Sequence, residues 1–318
     1  MPNSSFKLLA ETWLHQKRAE VSESTCRRYR EKLTDFALHL GPKADGPLNA
    51  ITKHDILAWR DLESDRISAS TVNASLKILR IFFGAAHREG ILIDNPAEAV
   101  ARLKQSGKCA RRPFTMDEIR RLLQVANAEW KSMILFGLYT GQRLGDIAQL
   151  RWHQVDLENK ELRLTTSKTS RHQKIPLPPP LQSFIRSMDG TPQGGAPVHS
   201  SASAIVSGQK RVGTLSRQFR DLMVKAGLRP REKHRKGKDT HGKQGKRQES
   251  EISFHSLRHT TTSLLKNAGV SPAVAEEFVG HNSAEMNRHY THIELDAMRK
   301  AAETLPDVIG MPLDNTAL

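Results

Sequence analysis

The chain has 318 residues, 37% of them hydrophobic and 26% charged, with 49 Lys+Arg against 34 Asp+Glu, a net charge of +15 and a pI of about 10.0. That length exceeds one average domain and suits two, and the composition excludes a disordered or fibrous chain. The positive excess attracts polyanions through their counterion atmosphere, so nucleic acid is the leading partner and a merely basic, well-solvated surface is the alternative. No run approaches 18 apolar residues, and the start, MPNSSFKLLAETWLHQ, lacks the basic stretch and apolar core of a secretory signal. Cys26 and Cys109 are far apart and show no metal-type spacing. A cytoplasmic, nucleoid-associated location with no membrane partner is the expectation.

Helical signals run from residue 5 to residue 92. FKLLAETWLHQKR spaces Phe6, Leu9, Trp13 and Leu14 along one face, and STCRRYREKLTDFALHL does the same with Tyr29, Leu33, Phe36 and Leu40. GPKADGPLNA breaks the pattern. Thr52 and Asp55 form a capping box before Ile56, and SASTVNASLKILRIFFGAAHREG carries a fourth helix through Leu76, Leu79, Phe82 and Phe83. The polar face of that helix offers Lys77, Arg80 and Arg88 to a phosphate backbone, with simple solvation as the alternative. These four helices make a first domain, 1–100.

Residues 101–113, ARLKQSGKCARRP, read as a basic linker containing Arg111 and Arg112. Thr115 and Glu118 form a second capping box that opens a domain over 114–305. Its helical pattern is interrupted by WHQVDL and KELRLTTSKTSRHQKIPLPPP, which alternate as a hairpin turning around Ser167 to Arg171 and ended by Pro178 to Pro180. The fold class expected is therefore mainly α with a small β-hairpin sheet (α+β). Residues 231–250 carry eight Lys/Arg against three Asp/Glu without apolar periodicity. They read as a flexible basic insertion whose Lys236, Lys238, Lys243, Lys246 and Arg247 either meet DNA or are solvated. Residues 306–318 form a C-terminal tail.

Four separated stretches need a joint explanation: LYTGQRLGDIAQLRW around Arg143, TTSKTSRHQKIPL around Lys168, SFHSLRHTTTSLL around His255 and Arg258, and VGHNSAEMNRHY with His281 and Tyr290. Taken singly each is weak. His255 and His259 lie one helical turn apart, but the Glu of a zincin motif is missing and Arg258 between them repels a cation, so no metal site is expected. Tyrosine occurs only at 29, 139 and 290, and a lone Tyr290 would be an ordinary helix residue.

Together, the stretches resemble the active-site boxes of the tyrosine recombinases, the phage-integrase family, across roughly 5–305. TGQRLGDIAQL supplies the first box's Arg143 and its acidic neighbour Asp146. His255-Ser256-Leu257-Arg258-His259 matches H-x-L-R-H. Gly280 and His281 followed nine residues on by Tyr290 complete the pattern. The family's hairpin lysine maps to Lys168, eight residues before Pro176, with Lys174 as the competing candidate. The resemblance implies an N-terminal helical core-binding (SAM-like) domain and a C-terminal catalytic domain. It further implies two rounds of strand exchange through a Holliday junction, on double-stranded DNA held by a homo-tetramer with exchanged C-terminal segments. An accessory directionality factor is a further possible partner.

The residue types suit phosphodiester exchange. Tyr290 is the nucleophile, and Arg143 and Arg258 fork onto nonbridging oxygens and stabilise the charge of a pentacoordinate transition state. His255 accepts the phenolic proton, His281 donates to a phosphate oxygen, and both are expected to titrate near neutrality. Lys168 protonates the departing 5′-oxygen, and Asp146 orients the cations. Guanidinium and ammonium groups replace the metal of a two-metal nuclease, and the phosphotyrosyl bond conserves the energy, so neither a cofactor nor ATP is expected. Strand relaxation of the type IB topoisomerase kind and a noncatalytic DNA-binding protein of the same fold are the alternatives.

Overall fold

The computed structural model describes residues 5–104, 111–166, 171–188, 194–209, 212–230, 250–280 and 295–308. The chain divides into two compact units, the first built from residues up to Lys108 and the second beginning at Cys109.

The first unit contains α1 (Phe6–Glu20), α2 (Glu23–Leu40), α3 (Lys53–Arg66) and α4 (Ala69–Arg88). Ser5, Ser22 and Ser68 cap α1, α2 and α4, each accepting the backbone N–H three residues on at 3.3 Å, and Asp55 takes the N–H of Thr52 at 2.7 Å. Two short 3₁₀ turns fill the Gly/Pro break. The apolar faces meet in an aromatic core, with Phe6 edge-on to Phe36 at 5.5 Å and to Phe82 at 5.1 Å, and Phe36 edge-on to Trp59 at 5.6 Å. Lys77 and Arg88 are exposed. Arg80 departs from the expectation of a phosphate-facing residue, because its guanidinium turns onto the chain after α4. Nε donates to the Ala97 carbonyl at 3.1 Å and Nη2 to that of Val100. Asn73 clasps Leu103 on both sides of its amide, donating Nδ2 to the Leu103 carbonyl at 2.9 Å and accepting the Leu103 N–H on Oδ1 at 2.8 Å.

The second unit holds α5 (Met116–Val125), α6 (Ala128–Thr140), α7 (Leu144–Ala148), β1 (Val155–Asp156), β2 (Glu161–Thr165), β3 (His172–Pro176), α8 (Pro179–Arg186), α9 (Ser200–Gln209), α10 (Gly213–Lys225), α11 (Phe254–Asn267), α12 (Pro272–Val279) and α13 (Leu295–Glu303). Every residue of α6 from Ser132 to Thr140 is buried, which makes it the central helix. Gly137 lets α11 approach closely: a Cβ there would lie 2.9 Å from Phe254 and 3.0 Å from Leu257. The strands form an antiparallel sheet in the order β1-β2-β3, with Leu162 opposite Ile175 and Thr165 opposite His172. The expected turn at 167–170 lies outside the described residues. The three prolines end β3 and also start a helix: Pro178 caps α8 and Pro179 occupies its first turn, where no N–H is needed. Of the tail, Pro306 to Val308 are fastened to α6. The Tyr139 hydroxyl donates to the Pro306 carbonyl at 2.9 Å and accepts the Val308 N–H at 3.1 Å. Among the described residues, no helix is long and apolar enough to cross a membrane.

Candidate active site

The site is assembled where α6 ends and α11 begins. Gly141 caps α6 in the left-handed region, at φ 64°, and sends its N–H to the Gly137 carbonyl at 3.0 Å. A Cβ at this position would stand 2.5 Å from Val279 Cγ1, so α12 closes over the turn. Gln142, 2% exposed, extends that closure by donating from Nε2 to the carbonyls of Thr140 at 3.1 Å and Val279 at 3.4 Å. Arg143 then caps α7 from an extended backbone, and its carbonyl accepts the N–H groups of Asp146 and Ile147, each at 3.0 Å. Asp146 is buried, with its carboxylate 4.0 Å from the Arg143 guanidinium.

From the other side, α11 starts at Ser253, whose N–H bonds the Ser256 hydroxyl at 3.0 Å. Arg258 is 2% exposed, and its Nη1 donates to the Gly141 carbonyl at 2.9 Å. Burial, and then the neighbouring Arg143 charge, lower its pKa to about 10 against the opposing pull of Asp146. It remains a cation at neutral pH. His255 is partly buried and stands edge-on to His259, with ring centroids 5.0 Å apart. Burial holds the His255 imidazole down at about 4, helped by His259, Arg258, Arg111 and Arg143. The expectation of neutral-pH titration at His255 is thereby corrected, since the ring sits among cations and is neutral at pH 7.

The hairpin and the Gly280 corner meet the same region. Gly280 caps α12 in the left-handed conformation, at φ 74°, and a Cβ there would collide with the Gln173 side chain of β3 at 2.2 Å. Arg171, immediately before β3, donates to the Glu277 carboxylate of α12. Lys174 is exposed, whereas its neighbours Gln173 and Ile175 are buried on the opposite face of the strand. Lys168, His281 and Tyr290 lie outside the described residues, as do Lys236, Lys238, Lys243, Lys246 and Arg247.

Arg111 is exposed, and its charge reaches His255 and His259. Arg112 has another task than the expected DNA contact: it forks onto Glu118 at 2.7 and 2.8 Å and donates Nε to Glu251 at 3.2 Å, closing the linker onto α5. Sequence reasoning missed Gln142, Arg171, Gln173 and Glu277. The signal within reach was the pair of left-handed glycines, 141 and 280, whose tight turns need neighbours that fill the space beside them.

The chain thus combines a helical first unit with a mainly helical second unit that carries a three-stranded sheet, and in the second unit an arginine turn after α6 is bonded to the H-x-L-R-H helix α11. The "Phage integrase family" model matches residues 112–296 and the "Phage integrase, N-terminal SAM-like domain" model matches 13–90. The chain belongs to the phage integrase family of tyrosine recombinases, whose general activity is site-specific recombination. It is similar to tyrosine recombinase XerC of Alcanivorax borkumensis, at 26% identity over 86% of this chain and 85% of that protein. Its fold is similar to that of lambda integrase solved as a dimer bound to a COC′ core site, with TM-score 0.67 and 20% identity over 92% of this chain and 100% of that one. A lambda integrase tetramer bound to a Holliday junction is also similar, with TM-score 0.62 and 18% identity over 88% and 78% of the two chains.

Proposed function

We propose that the protein cleaves and rejoins double-stranded DNA at specific sites through a 3′-phosphotyrosyl intermediate on Tyr290. The observation that carries this reading is the convergence of Arg143, Arg258 and His255 on the end of α6, with Arg258 buried and still charged. A guanidinium held by a backbone carbonyl, that of Arg258, and a second set beside the buried Asp146, that of Arg143, meet a phosphate with little reorganisation, the condition for strong transition-state stabilisation. The Tyr290 oxygen attacks phosphorus as the bond to the 5′-oxygen breaks. His255, neutral at pH 7, takes the phenolic proton once the bound phosphate offsets the cations that hold its pKa down, and His281 donates to a nonbridging oxygen. Lys168 gives a proton to the departing 5′-oxygen. Lys174 is the weaker candidate for that last role, because it stands on the face of β3 opposite Gln173, which is the residue that meets the Gly280 corner. A 5′-hydroxyl from a partner strand then reverses the step, and two rounds through a Holliday junction in a tetramer complete the exchange.

The test is a nicked suicide substrate that loses the 5′-end after cleavage. Wild-type protein is expected to form an adduct that survives denaturing electrophoresis, and Tyr290→Phe to form none. An adduct that persists in Tyr290→Phe would falsify the nucleophile assignment. A 5′-bridging phosphorothiolate, with its better leaving group, is expected to rescue Lys168→Ala; rescue of Lys174→Ala in its place moves the proton donor to Lys174.

A further inference from the structure

Immediately after α7 the chain pairs with the segment that precedes α9. Val198 donates to the Leu150 carbonyl at 2.8 Å and Trp152 to that of Ala196 at 3.0 Å, around a bridge between Arg151 and Pro197. The carbonyl of His199 then accepts the Ser203 N–H in the first turn of α9, while Glu129 of α6 takes the Ala202 N–H. This pairing fixes the His199 ring between α6 and α7. It is 1% exposed and edge-on to Phe136 at 5.6 Å. Its Nδ1 lies 2.9 Å from the Ile147 carbonyl oxygen and its Nε2 2.9 Å from the Ser132 hydroxyl. A carbonyl only accepts, so Nδ1 carries the proton; in the neutral ring, Nε2 accepts from Ser132. Burial keeps the imidazole below its ordinary range, so this arrangement holds at neutral pH.

Ile147 gives the contact its consequence. α7 has five residues, too few to be stable alone. The Ile147 N–H bonds the Arg143 carbonyl at 3.0 Å, and its own carbonyl accepts the His199 proton at 2.9 Å. Ser132, the His199 ring and the backbone of Ile147 are thus linked in series to the Arg143 carbonyl, the Ile147 carbonyl and N–H lying on the two peptide units that flank its Cα.

We infer that His199 is a positioning residue for Arg143, clamping the Ile147 carbonyl so that the α7 turn presents the guanidinium in one orientation. The inference rests on the role given to Arg143 in strand cleavage. His199 itself has no free ring nitrogen to offer a substrate.

Three substitutions in the full chain separate positioning from bulk stability. His199→Asn keeps a donor near the Nδ1 position. His199→Gln places its amide near Nε2 and loses the bond to Ile147. His199→Phe keeps the ring and loses both bonds. Three quantities are measured well below each variant's melting temperature: the single-turnover rate of adduct formation on the nicked substrate, the affinity for that DNA, and amide exchange across 143–150. The Gln and Phe variants are expected to cleave about 10- to 100-fold more slowly, the scale of a small misplacement of a reacting group. Their affinity should stay within about threefold of wild type, and exchange at Ile147 should be faster. The Asn variant is expected to stay near wild type in all three measurements. Gln and Phe variants with wild-type cleavage rates, or an Asn variant as slow as they are, would overturn the inference. A wild-type protein that forms no adduct sinks the cleavage reading instead. In that case the exchange data decide His199, and unchanged exchange in the Gln and Phe variants overturns the clamp.

Discussion

Arg258 donates a hydrogen bond to the carbonyl oxygen of Gly141 at 2.9 Å, which fastens the second arginine of the site to the turn that carries the first. Gly141 holds a left-handed backbone at φ 64°, and Val279 leaves no room for a side chain there. Gly141→Ala is therefore expected to cost about 2 kcal/mol or more, from left-handed strain and from the contact with Val279. Chemical denaturation measures the loss. Gly141→Ala/Val279→Ala should recover only part of it, because the second change removes the 2.5 Å contact with Cγ1 but leaves Cβ at 3.1 Å and the left-handed strain. Full recovery would show that crowding alone keeps this residue a glycine.

Much of this arrangement is readable in the linear chain, and what is not has a common cause. The four helices of the first unit declare themselves through apolar spacing and Ser or Thr caps, and the hairpin through alternation from Glu161 to Pro176. The arginine turn and the H-x-L-R-H helix stand out as motifs. Their environment does not. Arg80 sits on the polar side of α4 by periodicity, yet its guanidinium is taken by carbonyls of Ala97 and Val100, from chain that folds back after the helix has ended. His255 has the intrinsic pKa of any histidine, and only the fold surrounds it with Arg111, Arg143 and Arg258. Ser132 and His199 are 67 residues apart, and Arg171 and Glu277 are 106 apart. Contacts over such separations are set by packing, not by local pattern.

The His255 environment leads to a pH prediction. The folded ring titrates near 4 and an unfolded one near its ordinary 6.5. Between these values the unfolded chain binds more protons, so this group's contribution to stability is present above pH 6.5 and is lost as pH falls toward 4. His255→Gln should flatten that part of the stability curve. In the DNA-free protein, NMR titration of the imidazole should give a midpoint near 4. Addition of DNA should raise it, because a phosphate offsets the surrounding cations. A midpoint near 6.5 without DNA would show that the ring is not held among those charges.

The Arg171 to Glu277 pair ties the residue before β3 to α12. Both side chains are partly exposed, and their attraction contributes up to about 1 kcal/mol to stability. The larger effect should be kinetic. If the proposed general acid on this hairpin depends on that tie, Arg171→Glu and Glu277→Arg are each expected to slow adduct formation about tenfold. The double reversal should restore most of the rate. If both single variants cleave at the wild-type rate, the pair is a surface contact without influence on the hairpin.

Tyr139 makes a different prediction about the segment that follows α13. Its hydroxyl is bonded on both sides, to the Pro306 carbonyl and the Val308 N–H, in a fully buried position. Tyr139→Phe leaves those two backbone groups without their partner and should cost about 1–3 kcal/mol. Amide exchange should rise from Leu305 to Val308, while α6, packed on all sides, stays protected. The phenol supplies a second measurement. Burial pushes its pKa up to about 12 from 10, with a smaller push from Asp307 and an opposing pull from the Val308 N–H. The folded state then disfavours the phenolate, so the stability this group contributes is intact below pH 10 and is lost as pH rises toward 12. Wild-type protein should show that alkaline decline, and the Phe variant should lack Tyr139's share of it. Equal alkaline slopes in the two proteins would mean that the Tyr139 hydroxyl reaches solvent and that Pro306 and Val308 are not fastened by it.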